Sequence, residues 1–309
     1  MDELIVGQEN YPYYIYIENR DPSLPEIAIV TDSTSDLSEE LTGNLNISVI
    51  PLKIKLGDEY YREGIDVSKK EFWKRIVTDK IIPKTSQPSP AEFKAMYERL
   101  LKQGYKKIIS IHISSKLSGT QQAARVGKSM VNGGENVTIF DSKQVSFAIG
   151  YQAMEAARMA QENKSLEEII ARITQIRDKI RLYFVVNELN YLEKGGRIGK
   201  ASSIIGGFLK VKPIIKMDNG ELGVQGKAIG ENGAVSYLER LIKTSSRKNS
   251  ILLYTGWGGT PKELRTADEL RNDNAGNSRV DYKGRFEIGS TIGSHSGPVY
   301  GIAILPKII

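Results

Sequence analysis

The stretch Lys106–Thr120, KKIISIHISSKLSGT, decides how the rest of the chain is read. Ile108, Ile109, Ile111 and Ile113 form a short β-branched run, which predicts a buried strand. His112 alternates with these isoleucines, so the expectation for it is a hydrogen-bonded core histidine. The run breaks into Ser114, Ser115, Ser118, Gly119 and Thr120, and a helix-like segment, TQQAARVGKSMV, follows. A strand that ends in hydroxyls and then opens a helix suits an anion. The first helical N–H groups are unpaired, the dipole favours negative charge, and a hydroxyl adds a donor. Ser118 with Gln121 three residues later also fits a capping box, in which the serine serves the helix alone. One serine can do both, since a capping Oγ accepts from the helix and keeps a proton to donate.

Outward from this stretch, strands and helices alternate. Ile27–Val30 predicts a strand ended by the polar turn 31–36, with a short helix after Ser38. Ile47–Leu56 predicts a second strand, broken by Pro51 and therefore placed at an edge. Phe72, Trp73, Ile76 and Val77 have helical spacing. Thr85 and Ser86 precede a proline-rich turn within KTSQPSP (84–90), and Ser89, Pro90 and Glu92 cap a helix whose apolar face is Phe93, Met96, Tyr97, Leu100 and Leu101. After the central strand come Val137–Phe140, Asp141-Ser142 and a helix over 144–162. This order implies a parallel sheet with right-handed crossovers, whose ligands sit beyond the carboxyl ends of the strands. The turns 31–36, 114–120 and 141–142 all fall at such ends, which favours the anion site over a cap alone.

Near residue 163 the pattern changes. Ser165 and Glu168 cap another helix, a strand covers Tyr183–Val186, and Gly195-Gly196-Arg197 reads as a helix C-cap. Asp218-Asn219-Gly220 between two apolar runs is a hairpin signal. Helices near 233–246 and 260–272 bracket a strand at Ile251–Thr255. The last strands, Arg285–Ile288 and Pro298–Leu305, enclose a glycine- and serine-rich loop containing His295. The fold class expected is α/β in two domains: a parallel α/β sheet over 27–162, and an α+β domain with a mixed sheet over 163–309. Residues 1–26, rich in tyrosine and proline, read as an extension: an edge strand or an arm packing on a neighbour, with a disordered tail the alternative that the tyrosines disfavour.

Composition narrows the chemistry. The 309 residues carry no cysteine and two histidines, His112 and His295. Disulfides, thiolate catalysis and histidine-rich metal sites are therefore excluded, and a reducing cytoplasm is the expected location. No metal and no cofactor is expected. The net charge of +6 comes from bases interspersed with almost as many acids, which is a solvated surface rather than a nucleic-acid stripe. No apolar run reaches membrane-spanning length.

Taken together, TDSTSDL (31–37), KTSQPSP (84–90), SSKLSGT (114–120), DS (141–142), LNYLEKGGRI (189–198), VKPII (211–215) and GSHSGP (293–298) follow one another in an order that resembles the DegV family of fatty-acid-binding proteins. The resemblance implies a two-domain, EDD-like fold with a long-chain fatty acid buried between the domains and no catalysis by the chain itself. It implies Thr85 and Ser118 as the hydroxyls that hold the carboxylate, with Ser86, Gly119 and His295 beside them. It implies Arg197 in a basic neighbourhood used by members that present the acid to a separate fatty acid kinase. The partners so implied are a long-chain fatty acid, a fatty acid kinase and transient contact with a membrane surface; nucleic acid is not among them.

The energetics suit that assignment. Burial of an acyl chain gains about 0.8 kcal/mol per methylene from water, but almost nothing from a bilayer, where the tail is already in hydrocarbon. Selection therefore rests on pocket shape and on hydrogen bonds to the carboxylate, roughly 1.5–3 kcal/mol each. Three features depart from the family pattern: Lys227-Ala228-Ile229-Gly230 lacks an expected arginine, Val299 follows Gly297-Pro298, and the extension is additional. The alternative reading from the residues alone is an enzyme for a small phosphorylated or carboxylated substrate, with Asp32, Asp36 or Asp141 as general base. A nucleic-acid-binding regulator rests only on the net charge.

Overall fold

The computed structural model describes residues 24–187, 189–204, 211–274 and 276–307. The expected arm or edge strand within residues 1–26 lies, up to residue 23, outside the described residues.

The first part of the chain runs β1 (Ile27–Asp32), α1 (Glu39–Asn44), β2 (Ile47–Ile50), β3 (Lys53–Leu56), β4 (Glu59–Arg62) and α2 (Lys69–Val77). It continues through β5 (Lys84–Ser86), α3 (Pro90–Lys102), β6 (Lys107–His112), α4 (Thr120–Ser129), β7 (Val137–Asp141) and α5 (Phe147–Gln161). Strands β2-β1-β6-β7 form a sheet in that order, parallel at every pairing, as the alternation implies. The two-residue period of a strand sorts its side chains to two faces. Ala28, Val30 and Ile108 pack under Phe93, Tyr97 and Leu100 of α3, while Ile29, Ile109 and Ile111 face Phe147 and Ile149 of α5.

The second part runs α6 (Leu166–Lys179), β8 (Arg181–Val186), α7 (Leu189–Lys194), β9 (Val211–Asp218), β10 (Glu221–Ile229) and α8 (Gly230–Lys248). It ends with β11 (Ile251–Gly258), α9 (Pro261–Asn272), β12 (Val280–Glu287), α10 (Ser290–Ser296) and β13 (Val299–Pro306). Its sheet, β10-β9-β8-β13-β11-β12, is mixed: the β11–β12 pair is parallel and the other pairs are antiparallel. Val185, Ile214, Ile302 and Ile304 turn to α8 and α9. Leu182, Val186, Ile215 and Ala303 turn the other way, into the same cluster as Ile29 and Phe147. One apolar core is thus shared between the two sheets. The boundary expected at 162–163 falls in the connection from α5 to α6.

Local signals hold where the interaction is local. Ser89, Ser165 and Thr260 each close a capping box. Asn219 and Gly220 both take positive φ, 49° and 86°, at the tip of the β9–β10 hairpin, the backbone that a two-residue turn requires. Two expectations need correction. Ile47–Leu56 is two strands in different sheets: β2 edges the parallel sheet, while β3 pairs with β4 and β5 in a small antiparallel one. Pro51, which has no N–H for a ladder, marks the crossing. Thr85 and Ser86, expected just ahead of the proline-rich turn, lie on the strand β5. The loop expected around His295 is the helix α10.

The expected capping box at Ser118 is also absent. Gly119 is the N-cap of α4 and makes no side-chain cap bond. Ser118 instead closes a tighter turn, its Oγ accepting from Thr120 N at 3.3 Å.

Candidate functional site

Between the two sheets lies a cavity of about 300 Å³, at the lower end of the range for small-ligand sites. Its walls come from both halves of the chain. Leu52, Ile113 and Leu117 face Leu182, Phe286 and Val299 across it. Hydrophobic side chains dominate the lining, and Thr85, Ser86, Gln87, Ser118, Arg197 and His295 are among its polar members, with Thr85 and His295 in direct contact.

These residues come from separate parts of the fold. Thr85 lies on β5, opposite Ile54 of β3. His295 is carried in the last turn of α10, and its Nε2 is 2.8 Å from Thr85 Oγ1 across 210 residues of sequence. Burial pushes the imidazole down from its ordinary value to about 4, and the charge of Arg197 acts in the same direction. The ring is therefore neutral at pH 7, with a single N–H to give. Its Nδ1 has no hydrogen-bond partner among the described residues. If Nε2 carries the proton, it donates to Thr85, whose own O–H is then left for something else.

Ser118 lies beyond the end of β6, its Oγ 2.8 Å from Thr120 Oγ1. The same loop is tied to the second half of the chain, since Ser114 Oγ donates to Gly220 O at 2.7 Å. Arg197 follows α7 and is exposed at the rim. Its Nη1 donates to Gly195 O at 2.7 Å and its Nε to Leu117 O at 3.2 Å. Gly119 is not part of the wall. A Cβ there would lie 2.2 Å from Gln87 Oε1, so its lack of a side chain makes room for Gln87.

A second recess of about 680 Å³ shares Thr85, Arg197 and His295 with the first. Lys80, Lys84 and Lys194 border it. The site is thus an apolar chamber with a hydroxyl- and imidazole-lined mouth and a basic porch. It can hold a molecule with a long apolar body and one anionic end.

The carboxylates considered for an enzyme are occupied elsewhere, and none of them lines the chamber. Asp32 accepts from Thr34 N at 3.1 Å and Ile113 N at 3.1 Å, and meets His112 Nδ1 at 2.9 Å. Asp36 accepts from Gly289 N at 2.8 Å. Asp141 accepts from Ser115 Oγ at 2.7 Å and Lys143 N at 2.9 Å. Asp32, His112 and Ser110 do form a hydrogen-bonded row, with His112 Nε2 2.6 Å from Ser110 Oγ. Its composition is that of a hydrolase triad. However, His112 and Ser110 are both 0 % exposed, and Ser110 Oγ is itself bonded to Tyr97 OH at 2.8 Å. His112 is the core histidine that its alternation predicts.

The strand-end pattern points to Ser118, whereas Thr85, Arg197 and His295 are marked only by the motif resemblance. Gln87, just before Pro88 in KTSQPSP, also lines the cavity, and no sequence signal marks it. Among the described residues, no group of three His, Asp or Glu side chains is placed to hold a metal ion, and no helix is long and apolar enough to cross a membrane.

Comparison with known proteins bears on the family and the fold. A family model described as "Uncharacterised protein, DegV family" matches residues 26–307. The chain belongs to the DegV family. A DegV domain-containing protein of Staphylococcus aureus is 42% identical over 214 residues, 69% of this chain and 75% of that one. Another from Caldanaerobacter subterraneus is 36% identical over 279 residues, 89% of this chain and 96% of its own. Among solved structures, the fatty-acid-binding DegV protein of Bacillus subtilis superimposes with a TM-score of 0.81 at 33% identity, covering 92% of this chain and 100% of that one. A DegV family protein from Thermus thermophilus, described for its fatty acid binding, gives a TM-score of 0.83 at 31% identity over 91% of this chain and 99% of that one.

Proposed function

We propose that this DegV protein is a non-catalytic carrier of a long-chain fatty acid, with the acyl chain in the chamber between the sheets and the carboxylate at Thr85, Ser118 and His295. The observation that carries the reading is the contact of Thr85 with His295 in the wall of a largely apolar cavity that Ser118 and Arg197 also line. The fatty-acid binding of its structural relatives supports it. In this reading His295 is neutral and works by orientation: its N–H turns the Thr85 hydroxyl so that the hydroxyl proton points at the carboxylate. Ser118 accepts from Thr120 and still has its own proton to donate. Ser86 lines the same mouth, and Gly119 serves by letting Gln87 close in.

Hydroxyls and a neutral imidazole bind a carboxylate without pairing it to a fixed charge. The carboxylate thus remains a nucleophile for a phosphoryl donor approaching through the basic recess. We infer presentation to a separate, ATP-dependent fatty acid kinase in the cytoplasm, with Arg197 at the contact, and a division of the chain into domains 27–162 and 163–309.

The test is native mass spectrometry of gently purified protein, with a paired Thr85→Ala, Ser118→Ala variant. Wild type is expected to carry a fatty acid. The variant is expected to lose two charge-assisted hydrogen bonds, about 3 kcal/mol or more and hence roughly a hundredfold in affinity, with unchanged circular dichroism. A variant that retains lipid at wild-type affinity refutes the carboxylate assignment. A co-purifying nucleotide or sugar phosphate refutes the carrier reading itself.

A further inference from the structure

Two buried carboxyl groups outside the chamber wall end on the same short helix. Asp36 follows β1 in a left-handed turn, φ 55°, and Glu63 follows β4; both are almost wholly buried. Asp36 Oδ1 accepts from Gly289 N at 2.8 Å, and Glu63 Oε1 accepts from Thr291 N at 2.8 Å. Their other oxygens are fixed too. Ser146 Oγ donates to Asp36 Oδ2, and Ser33 Oγ donates to Glu63 Oε2 at 2.7 Å while accepting from Leu52 N at 2.9 Å.

Gly289 lies between the two carboxyls. A Cβ at that position would be 2.5 Å from Glu63 Oε1 and 2.8 Å from Asp36 Oδ1. Burial raises both carboxyls, Asp36 to about 7, and each is raised despite the charge of Lys69 nearby. Lys69 itself donates to Glu287 O at 2.6 Å, just before α10.

Helix α10 has no side-chain cap of its own. Its N–H groups are instead met by carboxyls 253 and 228 residues away in sequence. At seven residues it is too short to persist by itself, and it spans only about 10 Å at 1.5 Å per residue. Whatever fixes its first turn therefore fixes its last, where His295 meets Thr85.

We propose that Asp36 and Glu63 are positioning residues of the acid site, which hold the start of α10 and through it set His295 against Thr85. The proposal rests on the reading of Thr85 and His295 as that site. A shift of one ångström at the helix start carries the 2.8 Å contact between Thr85 and His295 out of hydrogen-bonding range.

With two histidines in the chain, nitrogen-15 NMR of labelled imidazoles reads the proposal directly. His112, sealed beside Asp32, reports the fold; His295 reports the mouth. Three variants are compared with wild type for their imidazole resonances and their stearate affinity. Glu63→Ala removes one anchor. Gly289→Ala keeps both carboxyls but drives a methyl between them. Glu63→Gln keeps an acceptor for Thr291 N.

In the two alanine variants the His295 resonances are expected to move and stearate affinity to fall by about tenfold, the loss of one good hydrogen bond, while the His112 resonances stay in place. Glu63→Gln is expected to restore both. Wild-type His295 resonances in either alanine variant, with His112 intact, overturn the proposal. Loss of both sets of resonances in both alanine variants also overturns it, since the carboxyls would then support the fold as a whole. A displaced His295 with unchanged stearate affinity upholds the positioning of His295 and overturns the acid-site reading instead.

Discussion

At the scale of single residues, His295 is the group whose charge matters. Burial and the nearby Arg197 hold its pKa near 4, against about 6.5 in an unfolded chain. The unfolded chain therefore binds a proton on this histidine between those values and the folded one does not. By linkage, the contribution of His295 to stability is present above pH 6.5 and is lost as pH falls toward 4. Asp36, raised to about 7, has the opposite sign and favours the fold on acidification. The two are separated by comparing variants that differ at one of them. Urea unfolding of wild type and of His295→Asn at pH 7.5 and pH 4.5 is expected to show wild type losing more stability on acidification than the variant. Parallel losses would mean that His295 is not held neutral by the fold.

At the scale of elements, the floor of the chamber is a row across the second sheet. Phe184, Gly301, Gly256 and Phe286 are successive register partners on β8, β13, β11 and β12, and all four line the cavity. The Phe286 ring crowds Gly256, so a Cβ there would come within 2.3 Å of the ring. The same ring stacks on Phe147 at 4.7 Å. A methyl at Gly256 therefore displaces a ring that is part of the chamber wall. Gly256→Ala is therefore expected to shorten the room for the acyl chain. Each methylene expelled costs about 0.8 kcal/mol, roughly fourfold in affinity. In competition binding, stearate should lose ground to laurate. Equal losses for the two acids would place Phe286 away from the path of the tail.

At the scale of the whole molecule, the chamber exists only because the two sheets share one core and are tied at the mouth. Ser114 to Gly220, Lys116 to Glu221 at 3.0 Å, and Arg197 to Leu117 all cross between the halves. Arg197 makes no ion pair with a carboxylate among the described residues, so its charge faces the basic recess with Lys80, Lys84 and Lys194. A rim cation acts mainly on encounter with a partner and is screened by salt. With lipid-loaded protein and a fatty acid kinase from the same organism, Arg197→Gln is expected to slow phosphoryl transfer about tenfold at low salt. The difference should shrink as salt is raised. An unchanged rate at low salt would remove Arg197 from the contact.

The sequence by itself determined what neighbouring residues decide. The caps at Ser89, Ser165 and Thr260 and the hairpin tip at Asn219-Gly220 rest on bonds made within a few residues, and the alternation of strands and helices rests on hydrophobic periodicity within each segment. Resemblance of motifs, rather than spacing, brought Thr85, Ser118, Arg197 and His295 into view together. Only the tertiary structure divided Ile47–Leu56 between two sheets, because strand partners are chosen by distant edges. It alone made a helix of Ser290–Ser296, whose N–H groups find their acceptors on Asp36 and Glu63. No pattern in the sequence marks Glu63, and Ser118 lost its capping box to a turn closed on Thr120. The reason is the same in each case: a short helix or strand end cannot satisfy its own backbone, and the groups that satisfy it come from wherever the fold brings them.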